Sequence, residues 1–265
     1  MMGADTSGRR ALLQHLKFNG EVVVVTGAGS GIGRSTAEAV AELGATVVLV
    51  ARTQSKLEEA KAAIENAGGK AEIFVADVSK EEDVRALRDF VDAKWGRCKA
   101  IINNAGNNFV SYVTDLSTEK WNELIAVDLN SVFYMCRDFI PLLLKEKNPS
   151  ILNVASTFGH IGHPKMPVYC AAKGGVVSFT RQLAVDYGTQ GLRVNSICPG
   201  PTLSPRVKGY FESGRTDASE TLSKVMLGRF GECGEIGNVA AFLVSDAASF
   251  VHGASILVDG GQTIN

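Results

Sequence analysis

Residues 22–33 read VVVVTGAGSGIG, an apolar run that passes directly into a glycine-rich turn. The pattern predicts a buried strand followed by a helix. The glycines fit G-x-x-x-G-x-G through Gly27, Gly31 and Gly33, whereas Ile32 breaks the stricter G-x-G-x-x-G. Glycine lets the backbone approach a pyrophosphate, and the following helix offers free N–H groups and the positive end of its dipole. A tight strand-to-helix turn of any α/β protein is the alternative, but the position at the first strand–helix junction favours a dinucleotide site.

Short apolar runs alternate with longer helical patterns along the rest of the chain. The runs are rich in Val and Ile and lack polar alternation, as expected of strands buried on both faces of a parallel sheet. The predicted strands are 22–26, 46–51, 71–76, 100–103, 151–155, 193–197 and 256–258. The predicted helices are 32–43, 53–67, 80–95, 118–146, 167–190 and 235–245. This order predicts a single-domain α/β fold, a Rossmann-type doubly wound parallel sheet with helices on both faces.

The composition bounds the size and the partners of the protein. A chain of 265 residues with 45% hydrophobic content buries one large α/β core or, alternatively, two small ones. Lys and Arg total 27 against 28 for Asp and Glu, so charge gives no case for nucleic acid or an anionic membrane. No apolar run approaches the roughly 20 residues of a membrane span. The five cysteines lack C-x-x-C pairs, which favours a reducing compartment and a cytoplasmic location.

Two segments fall outside the alternating pattern. Residues 1–17 are too short and polar for a secretory signal, so we expect a frayed or surface-packed N-terminal arm. Residues 18–265 then form the dinucleotide-binding and catalytic domain. Within it, residues 201–230 contain Pro and Gly without clear periodicity, and a segment of that length is typical of a functional lid.

Tyr169 and Lys173 are four residues apart, so a helix over residues 167–190 places them on one face. A free tyrosine titrates near pH ~10, and a neighbouring cation favours the phenolate. Lys173 is therefore expected to lower the pKa of Tyr169 toward the working range. Ser156 precedes Tyr169 by thirteen residues and offers a hydroxyl to steady a substrate oxygen. The three residue types predict a site for proton transfer.

The end of the second predicted strand bears on the choice of cofactor. A site that selects NAD has a carboxylate there, about 20 residues beyond the glycine loop, that accepts from the ribose hydroxyls. This chain has Ala51-Arg52-Thr53 instead. Arg52 either pairs with a 2′-phosphate through a charge-assisted bond or lies solvated at the surface. The sequence predicts NADP(H) as the cofactor, with NAD(H) as the lesser alternative.

The order of the motifs matches a known family. They are the glycine loop, Asn103-Asn104-Ala105-Gly106, Ser156, Tyr169-x-x-x-Lys173 and Pro199-Gly200. With these motifs in this order from about Phe18 to its end, the chain resembles the classical short-chain dehydrogenases/reductases. Each motif is weak singly, but their joint order and spacing are specific.

The resemblance implies roles for the site residues. Tyr169 would be the general acid in carbonyl reduction and the base in alcohol oxidation, Lys173 would lower its pKa and hold the nicotinamide ribose, and Ser156 would bind the substrate oxygen. Residues expected along the cofactor are Gly27, Ser30, Gly31, Ile32 and Gly33 in the loop, Arg52 at the adenosine ribose, Asp77 and Val78 at the adenine, Asn104, Ala105 and Gly106 after the fourth strand, Tyr169 and Lys173, and Pro199, Gly200, Thr202 and Ser204 near the nicotinamide. Thr202 would meet the carboxamide.

The chain departs from the family pattern at two positions. Many members carry an asparagine in the long fourth helix that ties a water-linked proton path to the lysine. The matching position is Asp128, with Asn130 as the second choice. If the residue contributes to the proton path through its backbone carbonyl, Asp128 can replace the asparagine. If it contributes through the side-chain amide, the path is altered. Ser204 stands where relatives often have threonine, and it keeps the hydroxyl.

Other polar residues have simpler interpretations. His160 and His163 lie between Ser156 and Tyr169, and loop or substrate-wall roles are favoured because Tyr169 already supplies the proton. No histidine or carboxylate stands at metal-ligand spacing, so no catalytic metal is expected. Lid charges of both signs predict a solvated face; they are Arg206, Lys208, Arg215 and Lys224 against Glu212, Asp217 and Glu220.

The leading functional prediction is hydride transfer between NADP(H) and a small ketone or secondary alcohol. An alternative is reduction of 3-oxoacyl groups on an acyl carrier protein, for which Lys147 offers a basic residue at the entrance but Gln190 stands where another is expected. A dinucleotide-binding scaffold without turnover is the remote alternative, since Ser156, Tyr169 and Lys173 are all present. The resemblance also implies a homotetramer or homodimer built on helices 118–146 and 167–190 and the C-terminal strand.

Overall fold

The computed structural model describes residues 7–214 and 217–264, with side chains from residue 12 onward. Within these ranges seven parallel strands form one sheet in the order β3-β2-β1-β4-β5-β6-β7. The strands are β1 Val22–Thr26, β2 Thr46–Ala51, β3 Lys70–Val75, β4 Ala100–Asn103, β5 Ser150–Val154, β6 Arg193–Pro199 and β7 Ser255–Val258. The predicted doubly wound α/β fold is confirmed, with each predicted strand present to within two residues at either end.

The helices flank this sheet. They are α1 Ser7–Leu16, α2 Gly31–Glu42, α3 Gln54–Asn66, α4 Glu81–Trp95, α5 Thr118–Ile125, α6 Ser131–Leu143, α7 Pro167–Tyr187, α8 Pro205–Glu212, α9 Ala218–Leu222 and α10 Cys233–Val244. Helices α4, α6 and α7 contribute to the core on one face of the sheet, and α2, α3 and α10 to the core on the other.

Strand β1 shows why the strands are continuous apolar runs. Val22 and Val24 belong to the core on the α7 side, whereas Val23 and Val25 belong to the core on the α2 side. Because both faces are covered by helices, every position of the strand favours an apolar side chain. Burial on two faces therefore replaces the alternation that a half-exposed strand would show.

The helix predicted over residues 118–146 is interrupted in its middle. Helix α5 ends at Ile125, Ala126–Asn130 form a π-helical turn, and α6 begins at Ser131. The Ser131 hydroxyl, at the start of α6, donates back to the Val127 carbonyl of this turn over 2.6 Å. A π turn fits an extra residue into a helix and often marks a functional position. The turn contains Asp128.

The segments outside the alternating pattern also contain helices. The N-terminal arm includes α1, which packs beside Asp246–Ala248. The predicted lid over residues 201–230 contains α8 and α9, with a bridge that pairs Thr202 with Gly231. Arg215, one of the lid charges, lies outside the described residues. The division into arm, catalytic domain and lid remains a prediction.

The order of the strands locates the crevice of the fold. Strand β1 pairs with β2 on one side and with β4 on the other, so the order of the strands reverses between β1 and β4. Ligands of open parallel sheets bind at such a switch point, outside the carboxyl ends of the strands. The glycine loop after β1 and the Asn104-Ala105-Gly106 segment after β4 flank this crevice.

Candidate active site

The glycine loop presents an uncapped helix terminus to the crevice. Gly31, the first residue of α2, has a left-handed φ of +57°, which a residue with a side chain rarely adopts. Ser30 is the N-cap, yet its side chain makes no capping hydrogen bond, and no acidic residue lies in the first turn. The free N–H groups and the unengaged hydroxyl suit an anion. A side chain at Gly31 would contact Ser204 and fill the gap between the loop and α8.

Thr26 ties the glycine loop to the end of β4. Its hydroxyl accepts from the backbone N–H groups of Asn104 and Ala105 over 2.9 and 3.0 Å. The Asn104 amide donates to the Thr26 carbonyl over 2.9 Å. A Cβ at Gly27 would lie 2.7 Å from the same amide nitrogen. Asn104 therefore holds the two loops in register, and only glycine at position 27 permits this close approach.

Ser156, Tyr169 and Lys173 converge at the carboxyl end of β5. Ser156 follows the strand, is buried, and accepts from the backbone N–H of Phe158 over 3.2 Å. Tyr169 and Lys173 lie on α7, with the Lys173 Nζ 5.6 Å from the centre of the Tyr169 ring. The ammonium donates to the Val154 carbonyl at the end of β5 over 3.2 Å. The strand and the helix thus bring together the three residues singled out from the sequence.

The Lys173 ammonium has a second partner in Asp128. Its Nζ lies 3.3 Å from the Asp128 Oδ1, with side-chain exposures of 4% and 1%. The backbone N–H of Asn107 also donates to this carboxylate, over 3.1 Å. A Cβ at Gly106 would lie 2.6 Å from the Asp128 Oδ1 and 3.3 Å from the Lys173 Nζ. The π turn therefore aims Asp128, not Asn130, at the lysine, and Gly106 leaves room for the ion pair.

Burial and the ion pair determine the proton affinity of the site. Burial raises the pKa of the Tyr169 phenol, Lys173 lowers it, and the Asp128 carboxylate raises it further. Burial also raises the pKa of the Asp128 carboxyl, against the lowering influence of Lys173 and the Asn107 N–H. Lys173 thus lowers the pKa of Tyr169 as expected, but burial opposes it and the pKa of the phenol is raised overall. Desolvation is the larger influence, and Asp128 partly neutralises the cation.

Arg52 lies at the adenosine end of the crevice, after β2. Its side chain is 74% exposed, and its nearest acid is the Asp77 carboxylate at 3.8 Å. Asp77 also accepts from the Ser79 hydroxyl over 2.7 Å, which holds the turn after β3. The Val78 side chain is buried in the core, so only its backbone can face an adenine. Lys56, which the sequence gave no reason to select, lies beside Gly29 of the loop.

The segment after β6 closes the other end of the crevice. Pro199 ends the strand, and Gly200 packs against Asp259, where a Cβ would lie 2.7 Å from the Asp259 Cα. The Thr202 hydroxyl is buried and donates to the Gly200 carbonyl over 3.0 Å. Ser204 caps α8 by accepting from the Val207 N–H over 3.3 Å. Of the two hydroxyl residues, Ser204 faces the glycine loop; contact of Thr202 with a carboxamide stays a prediction.

These features fit a nicotinamide dinucleotide. The uncapped α2 terminus and the gap at Gly31 suit its diphosphate, and Arg52 stands at the strand end expected for the adenosine ribose. Lys173 and Tyr169 lie at the end of the crevice expected for the nicotinamide ribose. When bound, the cofactor supplies or accepts the hydride.

The two histidines take no part in the Ser156 and Tyr169 contacts found in the structure. The His160 Nε2 lies 3.4 Å from the Cys198 Sγ, and the His163 ring packs on Phe158 with centroids 4.4 Å apart. Across residues 7–214 and 217–264, no group of three or more His, Cys, Asp or Glu side chains has the arrangement of a metal site. None of the helices in these ranges is long and apolar enough to cross a membrane.

A series of buried side-chain hydrogen bonds behind the site was not predicted from the sequence. The side-chain Nδ2 of Asn103 donates to the side-chain Oδ1 of Asn153 over 2.8 Å. The Nδ2 of Asn153 in turn donates to the Thr180 hydroxyl over 2.9 Å. This series links β4, β5 and α7. Asparagine inside an apolar strand was the available signal, because a buried amide requires partners.

Comparison with known proteins places the chain in a family. The model of a family described as enoyl-(acyl carrier protein) reductase matches residues 27–263. The chain is 35% identical over 250 residues to 2-(S)-hydroxypropyl-CoM dehydrogenase 3 of Xanthobacter autotrophicus, covering 93% of this chain and 98% of that protein. It is 34% identical over 249 residues to the 3-oxoacyl-(acyl-carrier-protein) reductase of Thermotoga maritima, covering 94% and 100%.

A solved structure extends the comparison to three dimensions. The match is to a protein from Beutenbergia cavernae, given the provisional description of an NAD(P)-dependent gluconate 5-dehydrogenase, with NADP bound at low occupancy. The TM-score is 0.88 at 32% identity, and the match covers 95% of this chain and 100% of that one. Fold and site thus define a nicotinamide-dinucleotide oxidoreductase that acts on an alcohol or the corresponding ketone. The chain belongs to the short-chain dehydrogenase/reductase family, as the motifs predicted.

Proposed function

We propose that the protein transfers a hydride between NADP(H) and a ketone or secondary alcohol, with Tyr169 as the general acid and base. The observation that carries the proposal is the convergence of Ser156, Tyr169 and Lys173 at the end of β5. The uncapped terminus of α2 lies across the same crevice. The site therefore combines a place for a diphosphate with a place for proton transfer.

Each of the three side chains has a distinct task. In reduction, the Tyr169 phenol gives its proton to the carbonyl oxygen while the carbonyl carbon accepts the hydride; in oxidation, the phenolate takes the hydroxyl proton. Lys173 stabilises the phenolate, and its distance of 5.6 Å from the ring makes this a through-space effect. The Ser156 hydroxyl holds the substrate oxygen within reach of Tyr169.

Asp128 acts through Lys173 in this proposal. The carboxylate and the Val154 carbonyl fix the ammonium from two sides, over 3.3 and 3.2 Å. This contact uses the side chain of Asp128, which is acidic where many relatives carry an amide. Asp128 is therefore a positioning residue that also keeps the proton affinity of Tyr169 high.

Turnover tests the proposal directly. NADPH consumption is followed by absorbance over a panel of ketones, and NADPH binding is measured separately by fluorescence. Tyr169→Phe should abolish turnover and leave cofactor binding intact, because only the phenol hydroxyl is lost. Unchanged turnover in this variant would exclude the mechanism. Cofactor binding without turnover over the whole panel would instead favour the scaffold function.

The preference for NADP(H) is proposed from Arg52. A 2′-phosphate would give this exposed guanidinium a doubly charged partner in place of Asp77 at 3.8 Å. Loss of the charge in Arg52→Gln should lower the ratio of kcat/KM for NADPH over NADH by about 10- to 100-fold. Arg97→Gln is the matched control, because Arg97 is an exposed arginine that precedes β4, at the amino ends of the strands and away from the crevice. A wild-type preference for NADH would overturn this part of the proposal.

A second candidate function is reduction of a 3-oxoacyl group on a carrier protein, which is the activity named for the Thermotoga maritima relative. Lys147, the basic residue expected at the entrance of the active site for this reaction, lies away from that entrance within one chain. The Lys147 carbonyl accepts from the Lys99 ammonium, and both residues precede central strands, so Lys147 lies at the amino ends of the strands, whereas Tyr169 lies at their carboxyl ends. Turnover of an acyl carrier substrate far above that of small ketones would favour this function.

Exposed apolar side chains support the proposal of a homotetramer or homodimer. Phe133 on α6, Val185 on α7 and Leu257 on β7 are all exposed in the single chain. These three elements are the ones that the family resemblance assigns to subunit contacts. Light scattering measures the assembly. The cytoplasmic location is proposed on the five cysteines, all of which are free.

A further inference from the structure

Helix α8 of the lid is fastened to the loop after β4. The Arg206 Nη2 donates to the Gly106 carbonyl over 2.9 Å, and the Tyr210 hydroxyl donates to the Asn108 Oδ1 over 2.6 Å. Arg206 and Tyr210 are four residues apart, so they lie on one face of the helix. This face of α8 therefore covers the crevice, and the Arg206 side chain, exposed as the lid charges were predicted to be, reaches the loop through this hydrogen bond.

The contact places the Arg206 guanidinium beside the reacting groups. Gly106 is the residue whose Cβ would touch both Asp128 and Lys173. The pKa of Tyr169 is raised by burial, and the positive charge of Arg206 is among the influences that lower it. Arg206 acts in the same direction on the pKa of Asp128, which burial also raises. Through its hydrogen bond to Gly106, the guanidinium is separated from the Asp128–Lys173 ion pair by a single residue.

Most N–H donors of the Arg206 guanidinium have no protein acceptor among the described residues. Within residues 7–214 and 217–264, none of the carboxylates forms an ion pair with it. Its one hydrogen-bond partner in these ranges is a neutral carbonyl, whereas a guanidinium carries five N–H donors in a planar fork. Such a fork binds a carboxylate through two parallel hydrogen bonds. The other lid cation on α8, Lys208, is exposed two residues further along.

We propose that Arg206 is a specificity residue that binds the carboxylate of an oxo-acid or hydroxy-acid substrate at the catalytic end of the crevice. This inference rests on the proposed hydride transfer and adds the substrate class. In oxidation, the hydroxyl-bearing carbon loses a hydride to NADP⁺ and the hydroxyl proton passes to Tyr169. The substrate carboxylate is unchanged throughout and serves only as a handle.

Position favours the substrate over the cofactor diphosphate as the partner of Arg206. The diphosphate site is the glycine loop, and the lid residue that faces it is Ser204, beside Gly31. Arg206 instead contacts Gly106, which backs Lys173 and Asp128. If Arg206 instead contacts the cofactor diphosphate, its substitution weakens NADPH binding, which is measured directly.

The test compares acids with amides of the same shape. Both enantiomers of 2-hydroxybutyrate, 3-hydroxybutyrate and 4-hydroxypentanoate are oxidised with NADP⁺, each beside its carboxamide. At least one acid should exceed its amide in kcat/KM by tenfold or more. Arg206→Gln should lower this acid-to-amide ratio by about 10- to 100-fold, mainly through KM, and Arg206→Lys should restore part of it. Lys208→Gln removes the same charge from the same helix and should leave the ratio unchanged.

Three results would overturn the assignment. Amides that are turned over as well as their acids would exclude a carboxylate handle. An equal loss on acid and amide in Arg206→Gln would show a lid contact only, and weaker NADPH binding in this variant would assign Arg206 to the cofactor. If neutral ketones are reduced in a Tyr169-dependent manner while acids gain nothing, the substrate class fails and the proposed function stands. If no alcohol or ketone is turned over, the proposed function itself fails.

Discussion

Replacing Asp128 by asparagine should lower the pKa of the catalytic tyrosine. The substitution keeps the size of the side chain and removes its negative charge. In the structure this charge lies 3.3 Å from the Lys173 Nζ and acts to raise the pKa of Tyr169, alongside burial. Without the carboxylate, the Lys173 cation is unopposed, and the phenolate becomes easier to form.

The size of the effect follows from the distances. The Lys173 Nζ is 5.6 Å from the Tyr169 ring centre and 3.3 Å from the Asp128 carboxylate, so the carboxylate and the ring centre are at most about 9 Å apart. Two charges at that distance interact by about 2 kcal/mol at an effective dielectric constant near ~20, which corresponds to roughly 1.4 pKa units. Relaxation of the side chains takes up part of this energy. We expect a downward shift of about one unit.

The assay is the pH dependence of kcat/KM for alcohol oxidation. Activity rises as Tyr169 loses its proton, so the rising limb reports its pKa in the free enzyme. Burial raises the pKa of the Asp128 carboxyl, and the Lys173 ammonium 3.3 Å away opposes this rise by favouring the ionised carboxylate. The limb should therefore move to lower pH in Asp128→Asn.

A matched control separates this effect from a general change in charge. Asp89 on α4 has a side chain that is 68% exposed, and it pairs with Arg88 away from the site. Asp89→Asn should leave the limb where it is. A limb that stays in place or moves to higher pH in Asp128→Asn, with the melting temperature preserved, would refute the electrostatic role assigned to Asp128.

Three further substitutions test how the scaffold supports the site. Gly106→Ala should reduce kcat by at least about tenfold, because its Cβ would lie 2.6 Å from the Asp128 Oδ1 and displace the ion pair; steady-state kinetics measures it, and unaltered kcat would argue against this packing. Thr26→Val should lower the free energy of unfolding by about 3 kcal/mol in a denaturant titration, since two N–H groups lose their acceptor, and a loss below about 1 kcal/mol would mean that they find another. Arg193→Met should cost about 3 kcal/mol or more in the same titration, because the buried guanidinium donates to the carbonyls of Leu243, Ser245 and Ala248; equal stability would show that those carbonyls need no such donor.

Local patterns were sufficient to predict the sheet. A strand buried on both faces favours Val and Ile at successive positions, and β1 and β2 show such runs. The spacing of Tyr169 and Lys173 likewise predicted a shared helical face, because four residues make about one turn. The glycine loop was recognisable since its conformational requirement lies within a few adjacent residues. The predictions from the sequence agree with the structure for those features that depend on a few adjacent residues.

The lid and the long helix were predicted less well, for a common reason. The π turn at Ala126–Asn130 leaves the apolar pattern of the helix nearly intact, so the break is hidden from periodicity. Helix α8 begins at Pro205 and has no buried residue, so its apolar stripe is too weak to identify. Both features depend on contacts with other parts of the chain.

The sequence by itself determined the order of the strands along the chain, the glycine loop and the set of Ser156, Tyr169 and Lys173, because each follows from residue type and short spacing. Only the tertiary structure decided what surrounds this set. It aimed Asp128 rather than Asn130 at Lys173, and it brought Arg206 to the Gly106 carbonyl across 100 residues of chain. Electrostatic influence depends on distance and burial in space, and a sequence specifies neither until the chain has folded.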